Sequence, residues 1–168
     1  NLDKMLAVSC NVWNYQVGVR TGIDALAAEA RRFGLDTPLL QTISDVETGE
    51  QPMSELPYAA SRGLVVPDRA YKLRIGAGGW NDGDTANVSI GQGYLLTTPL
   101  HMACVAASLA RGETRTVPSI IHSLERTGKH LGAQPIGLTP EQLEALRGGM
   151  VRCVEEGTAR VARIEGLP

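Results

Sequence analysis

The sequence predicts an α+β chain, mostly helical, with one or two short strands. Two observations carry the helices. Thr98-Pro99 and Thr139-Pro140 each place a capping threonine before a proline, whose missing N–H costs nothing in the first helical turn. Gly112 and Gly157 stand where the two helices end. A third observation carries the β part: Thr116 to Leu124, TVPSIIHSL, has strand character, and Pro118 marks it as an edge.

Residues 2–8 read as the end of a helix. Val12 to Val19 continues helically, with Val12, Tyr15 and Val19 on one face, and Gly22 breaks it. Asp24 is placed to cap a helix over Ala25 to Phe33, and Gly34 to close that helix in the left-handed conformation. From Leu35 to Gly83 periodicity is weak. Pro38, Pro52, Pro57 and Pro67 interrupt it, which predicts a long irregular region with short helical turns at most. The glycine-rich stretch that follows reads as loop.

The helix opened by Pro99 continues through Leu100, Val105, Ala106 and Leu109, with small residues between, so it is expected to be central and buried. The last helix should run from Pro140 to about Glu156, with Leu143, Leu146, Met150 and Val154 on one face. Gln142 is placed to close a capping box on Thr139. ARVARIEGLP begins something extended.

With 168 residues the chain is long enough for one domain with a proper core. A net charge of -2 argues against a nucleic-acid surface or a membrane-adhering patch. Its apolar runs are far shorter than a membrane span. The chain opens Asn1-Leu2-Asp3-Lys4, with neither a Met nor a secretory leader, and is expected to be a piece of a longer protein. Cys10, Cys104 and Cys153 have no CxxC spacing and no paired histidines, so zinc is not expected, and all three read as buried free thiols.

Chemistry-bearing motifs are few. Gly76 to Gly79 and Gly91-Gln92-Gly93 lack the Lys-Ser/Thr of a phosphate loop and the spacing of a dinucleotide fold. His101, His122 and His130 are scattered, and a Cys10–His101 dyad is conceivable without local support. Ser9 and Asn11, in AVSCNVW, sit at a junction of helices. Taken alone, both are good helix caps.

Three segments change that balance. AVSCNVWNYQVGVRTGIDALAAEARRFGLDTP, GWNDGDTANVSIGQGYLLTTPLHMACVAASLARGE and LTPEQLEALRGGMVRCVEEGTARVARIEGLP resemble, in order and spacing, stretches of class B penicillin-binding proteins. These are the D,D-transpeptidases of peptidoglycan synthesis, and the similarity is strongest to the elongation type, penicillin-binding protein 2. The second segment is the most specific, because Gly-Asp-Thr, Ile-Gly-Gln-Gly and Thr-Pro occur together. The resemblance implies the serine β-lactamase/transpeptidase-like fold, of which this chain would hold mostly the helical part.

That family converges three motifs on one cleft: Ser-x-x-Lys, Ser-x-Asn and Lys-Ser/Thr-Gly. The resemblance implies that Ser9 is the catalytic serine of the second motif, relaying protons, and that Asn11 binds substrate backbone. No Ser here has Lys three residues on, and there is no Lys-Ser/Thr-Gly. Arg126-Thr127-Gly128 and Arg20-Thr21-Gly22 are rejected as substitutes on position. The first motif is expected before Asn1 and the third beyond Pro168, so residues 1–168 would be a partial transpeptidase domain, inactive alone. His101 stands where the family usually has Gln, which leaves the packing under that helix open. Loss of the strand bearing the third motif should expose apolar surface around Leu143 to Val154 and on the strand around Val117 to Leu124.

The resemblance further implies peptidoglycan stem peptides and β-lactams as ligands, a membrane glycan polymerase as partner, and no nucleic acid, metal or organic cofactor. It implies a periplasmic domain of an inner-membrane-anchored parent. Two other readings stay open: a binding or scaffold module derived from the fold, and an unrelated serine or cysteine hydrolase.

Overall fold

The computed structural model describes residues 2–37, 64–112, 115–116, 118 and 135–166. Among them are seven α-helices: α1 Leu2–Val8, α2 Asn11–Thr21, α3 Ile23–Arg32, α4 Arg69–Arg74, α5 Asp82–Ser89, α6 Pro99–Arg111 and α7 Pro140–Glu155. A 3-10 turn follows at Arg160–Ala162, where the sequence predicts extended chain. No strand lies among the described residues. One isolated antiparallel bridge pairs Val65 with Leu96 through both backbone bonds, 2.8 and 2.9 Å. Nearly all of the expected strand at 116–124 falls outside the described residues, as do positions 38–63.

The two Thr-Pro helices form as their ends dictate. Thr98 and Thr139 accept from the backbone N–H groups of His101 and Gln142. Gln142 returns a bond to the Thr139 N–H, completing the capping box. Gly112 closes α6 at φ 79°, a left-handed conformation that glycine adopts without steric cost. Arg147 of α7 donates to the Leu109 carbonyl at 2.8 Å and also to that of Ala110. A cation thus meets the exposed carbonyls at the negative end of α6 and locks the two helices together.

Several expectations need correction. Asp24 does not cap α3. Gly22 does, at φ 81°, and Asp24 lies in the first turn, where its charge favours the helix dipole. Gly34 behaves as expected: its N–H reaches Arg31 O and that of Leu35 reaches Ala30 O, a complete Schellman closure. α4 and α5 lie in and beside the stretch read as irregular or loop. Each has a side-chain cap. Asp68 accepts from Tyr71 N at 2.7 Å, and Asn81 and Asp84 cap each other reciprocally.

α6 is not buried all round. Only the stripe His101, Cys104 and Ser108 is enclosed, while Leu100 and Met102 face outward. The predicted face of α2 fails as well, since Val12 is 65% exposed and Val19 also lies open. α2 packs instead through its backbone at Gly18, where an added Cβ would stand 2.3 Å from Ser89 Cβ of α5. Of the cysteines, only Cys104 is buried, and burial raises its thiol pKa. Cys10 and Cys153 are half-buried, and all three are free.

The α1–α7 contact has the same character. Gly149 is the buried residue of α7, and a Cβ there would meet the Leu6 side chain at 2.4 to 3.2 Å. Leu143, Leu146, Met150 and Val154 share one partly buried face, as the spacing predicts, and Val151 is the more exposed residue. The neighbouring glycine, Gly148, has nothing within 4 Å. Opposite effects are therefore expected from adjacent positions. Gly148→Ala should stabilise by about 1 kcal/mol through helix propensity. Gly149→Val should destabilise by about 1–3 kcal/mol through overpacking against Leu6. Chemical denaturation of the two variants beside the parent checks both signs.

Candidate active-site turn

Ser9 and Asn11 lie on the turn between α1 and α2. The helix end dictates its geometry. The last four carbonyls of α1 have no partner within the helix. Ser9 N–H takes Leu6 O at 3.3 Å and Cys10 N–H takes Met5 O at 3.1 Å, the two bonds of a Schellman closure. That closure needs a left-handed residue, usually glycine, and here it is Ser9, at φ 51°. Among the described residues Ser9 is the one non-glycine with positive φ. A β-carbon there costs about 1–2 kcal/mol.

Both residues are exposed and neither acts as a cap. Cys10 occupies the N-cap position of α2 with no side-chain cap bond, and Asn11 is the first helical residue. Among the described residues no hydrogen bond occupies the Ser9 hydroxyl or the Asn11 amide. Strain is thus retained at a solvent-facing serine whose hydroxyl serves no local structural purpose. A third terminal carbonyl, that of Ala7, accepts from Thr158 N–H at 3.0 Å, just beyond α7. Nothing in the sequence marks that contact, because a backbone donor leaves no side-chain signature.

His101 does not pair with Cys10. Its Nε2 lies 2.9 Å from the Thr37 carbonyl, an acceptor, so Nε2 carries the proton. Nδ1 then accepts from the Thr98 hydroxyl at 2.7 Å. His101 is a buried strut between α6 and the chain after α3.

Behind α2 lies a polar and aromatic cluster. Lys72 of α4 donates to Asp84 at 2.6 Å, with 7% and 14% of the two side chains exposed. Lys72 Nζ also lies 5.8 Å from the ring centre of Tyr94, which packs against Tyr71 and Trp80. Trp80 Nε1 donates to the buried Thr85 hydroxyl at 2.8 Å. Burial pushes Asp84 up, but the Lys72 hydrogen bond, the Asn81 N–H and the Lys72 charge outweigh it and hold the pKa below its ordinary 3.8. Gly-Asp-Thr is therefore a joint. Asp84 fixes α4, Thr85 fixes Trp80, and α5 presents Ser89 to Gly18 of the helix carrying Asn11. Asp68 is lowered likewise, first by the Tyr71 N–H and then by Arg31 of α3, bonded at 2.6 Å.

Comparison with known proteins identifies the family. The penicillin binding protein transpeptidase domain matches residues 1–168. The peptidoglycan D,D-transpeptidase MrdA of Acinetobacter baumannii is 27% identical over 97% of this chain and 23% of its own length. PbpA of Mycobacterium tuberculosis is 31% identical over 74% of this chain and 20% of its own length. Pseudomonas aeruginosa PBP2 in complex with WCK 5153 superposes with a TM-score of 0.70 at 26% identity, over 96% of this chain and 33% of that one. Helicobacter pylori PBP2, solved also in complex with MreC, gives 0.68 and covers 95% and 27%. The chain thus spans about a fifth to a third of the relatives it matches. It belongs to the penicillin-binding protein transpeptidase domain family and is homologous to the class B PBP2/MrdA cell-shape enzymes.

Proposed function

We propose that this chain is the second-motif part of an elongation-type class B D,D-transpeptidase that cross-links peptidoglycan stem peptides through an acyl-serine intermediate. The observation that carries this reading is Ser9: a strained, exposed serine with an unoccupied hydroxyl, two residues before Asn11, in a chain of this family. The nucleophile with its Ser-x-x-Lys precedes Asn1 in the longer protein, and Lys-Ser/Thr-Gly follows Pro168. The share of each relative that is matched is compatible with this.

In this reading the nucleophilic serine attacks the penultimate D-Ala carbonyl and expels the terminal D-Ala. Ser9 passes a proton between the lysines and the leaving amine, because a hydroxyl both gives and accepts. Asn11 holds the substrate backbone with its amide. An amine of a neighbouring stem then resolves the acyl-enzyme. β-Lactams acylate the same serine.

The parent works at the outer face of an inner membrane beside a glycan polymerase. A similar structure, of a peptidoglycan synthase complex that coordinates polymerization and crosslinking, supports that partner, with a TM-score of 0.60 at 27% identity. Among the described residues no helix is long and apolar enough to cross a membrane. The test is labelling with a fluorescent penicillin. The full-length protein should be labelled and residues 1–168 alone should not. Covalent labelling of residues 1–168 alone would contradict the assignment.

A further inference from the structure

We propose that Gly157 and Thr158 form a positioning element for the Ser9 turn, an inference that rests on reading Ser9 as the second-motif serine. The Ser9 closure satisfies the carbonyls of Met5 and Leu6 and leaves that of Ala7. Thr158 N–H fills it at 3.0 Å from the far end of the chain. The donor is itself fixed. Gly157 and Ala159 N–H groups both bond Cys153 O at 3.1 Å, so the turn that offers Thr158 is an extension of α7. The Thr158 hydroxyl lies 3.6 Å from Cys153 Sγ on the same turn.

Gly157 makes the approach feasible. A Cβ there would stand 2.1 Å from Ala7 O, 2.9 Å from Ala7 C and 2.8 Å from Cys153 Cα. All are backbone atoms that no rotamer change moves aside. Any side chain would push the end of α1, and with it Ser9, away from α7. Ser9 carries backbone strain that its surroundings must hold in place. Together with Leu6 packed on Gly149, this bond holds the last turn of α1 against α7. It also ties the second motif to the segment that, in the proposed function, runs into the third. A relay hydroxyl displaced by about 1 Å loses roughly 100-fold in rate.

The experiment measures penicillin acylation of the full-length protein, separating the limiting rate from the binding constant, for Gly157→Ala, Thr158→Pro and Thr158→Ser. Rates are referred to the active fraction found by titration. Gly157→Ala and Thr158→Pro should lower the limiting rate about 10- to 100-fold, with the binding constant nearly unchanged. Thr158→Ser keeps the amide donor and should restore the rate to within about threefold. Combining Gly157→Ala with Ser9→Gly should add no further loss, because both act on one hydroxyl. If Thr158→Pro does not fold, Gly157→Ala carries the test. An unchanged rate per active site in Gly157→Ala, or full additivity with Ser9→Gly, overturns the positioning role. Ser9→Gly acylating at the parent rate would instead remove the reading of Ser9 itself.

Discussion

Ser9→Gly in the full-length protein is expected to slow acylation by about 10²- to 10⁴-fold, the usual worth of a positioned proton-transfer group. The same change should leave stability equal or raise it by up to about 1 kcal/mol, because glycine adopts φ 51° without the β-carbon penalty. Ser9→Ala should lose the same activity while keeping the strain, and so melt slightly lower. The pair separates a residue selected for its hydroxyl from one selected for the turn. A structural serine at this position would be stabilised by glycine with no loss of rate. Acylation kinetics with a chromogenic cephalosporin, read beside a thermal melt of each variant, decide between the two.

The second large effect lies at the Lys72–Asp84 pair. Asp84→Asn should destabilise by about 3 kcal/mol, since it leaves the Lys72 ammonium enclosed without its counter-charge. The double variant Lys72→Met/Asp84→Asn should recover most of that loss, and urea denaturation of the parent, Asp84→Asn, Lys72→Met and the double variant gives the coupling directly. The sign with pH follows from the same pair. Asp84 and Asp68 both have folded pKa values below 3.8, so their stabilisation is fully present above that value. As pH falls from about 5 the unfolded chain takes up protons first and stability drops, until the folded carboxylates are protonated as well. Asp84→Asn should flatten that acid limb.

The sequence was most legible where local chemistry sets an element's ends. α6 and α7 are fixed by Thr-Pro at the start, and α6 by glycine at the close, and both formed to within a residue or two of expectation. α5 was missed because Gly83 lies inside it and its packing runs through Lys72–Asp84 and the Gly18 contact rather than an apolar stripe. The Asn81-x-x-Asp84 capping box was the available signal. α2 was misread for the opposite reason: its valines have helical spacing but face outward, and the contact is made where a side chain is lacking.

At the candidate site, Ser9 and Asn11 were legible through the resemblance. The left-handed backbone of Ser9 was not, because a closure normally made by glycine gives no cue when serine makes it. The Ala7–Thr158 bond joins two backbones across almost the whole chain and leaves no pattern in residue type. His101 looked like a departure from the family. Its two ring nitrogens explain it as a structural strut.

The most direct test of the central claim is to locate the covalent adduct. Full-length protein is treated with a penicillin, digested, and the modified peptide sequenced by mass spectrometry. One penicilloyl group is expected, on the serine of a Ser-x-x-Lys upstream of Asn1, with its rate of formation falling steeply in Ser9→Gly. An adduct on Ser9 or Cys10, or on any residue from 1 to 168, would contradict it.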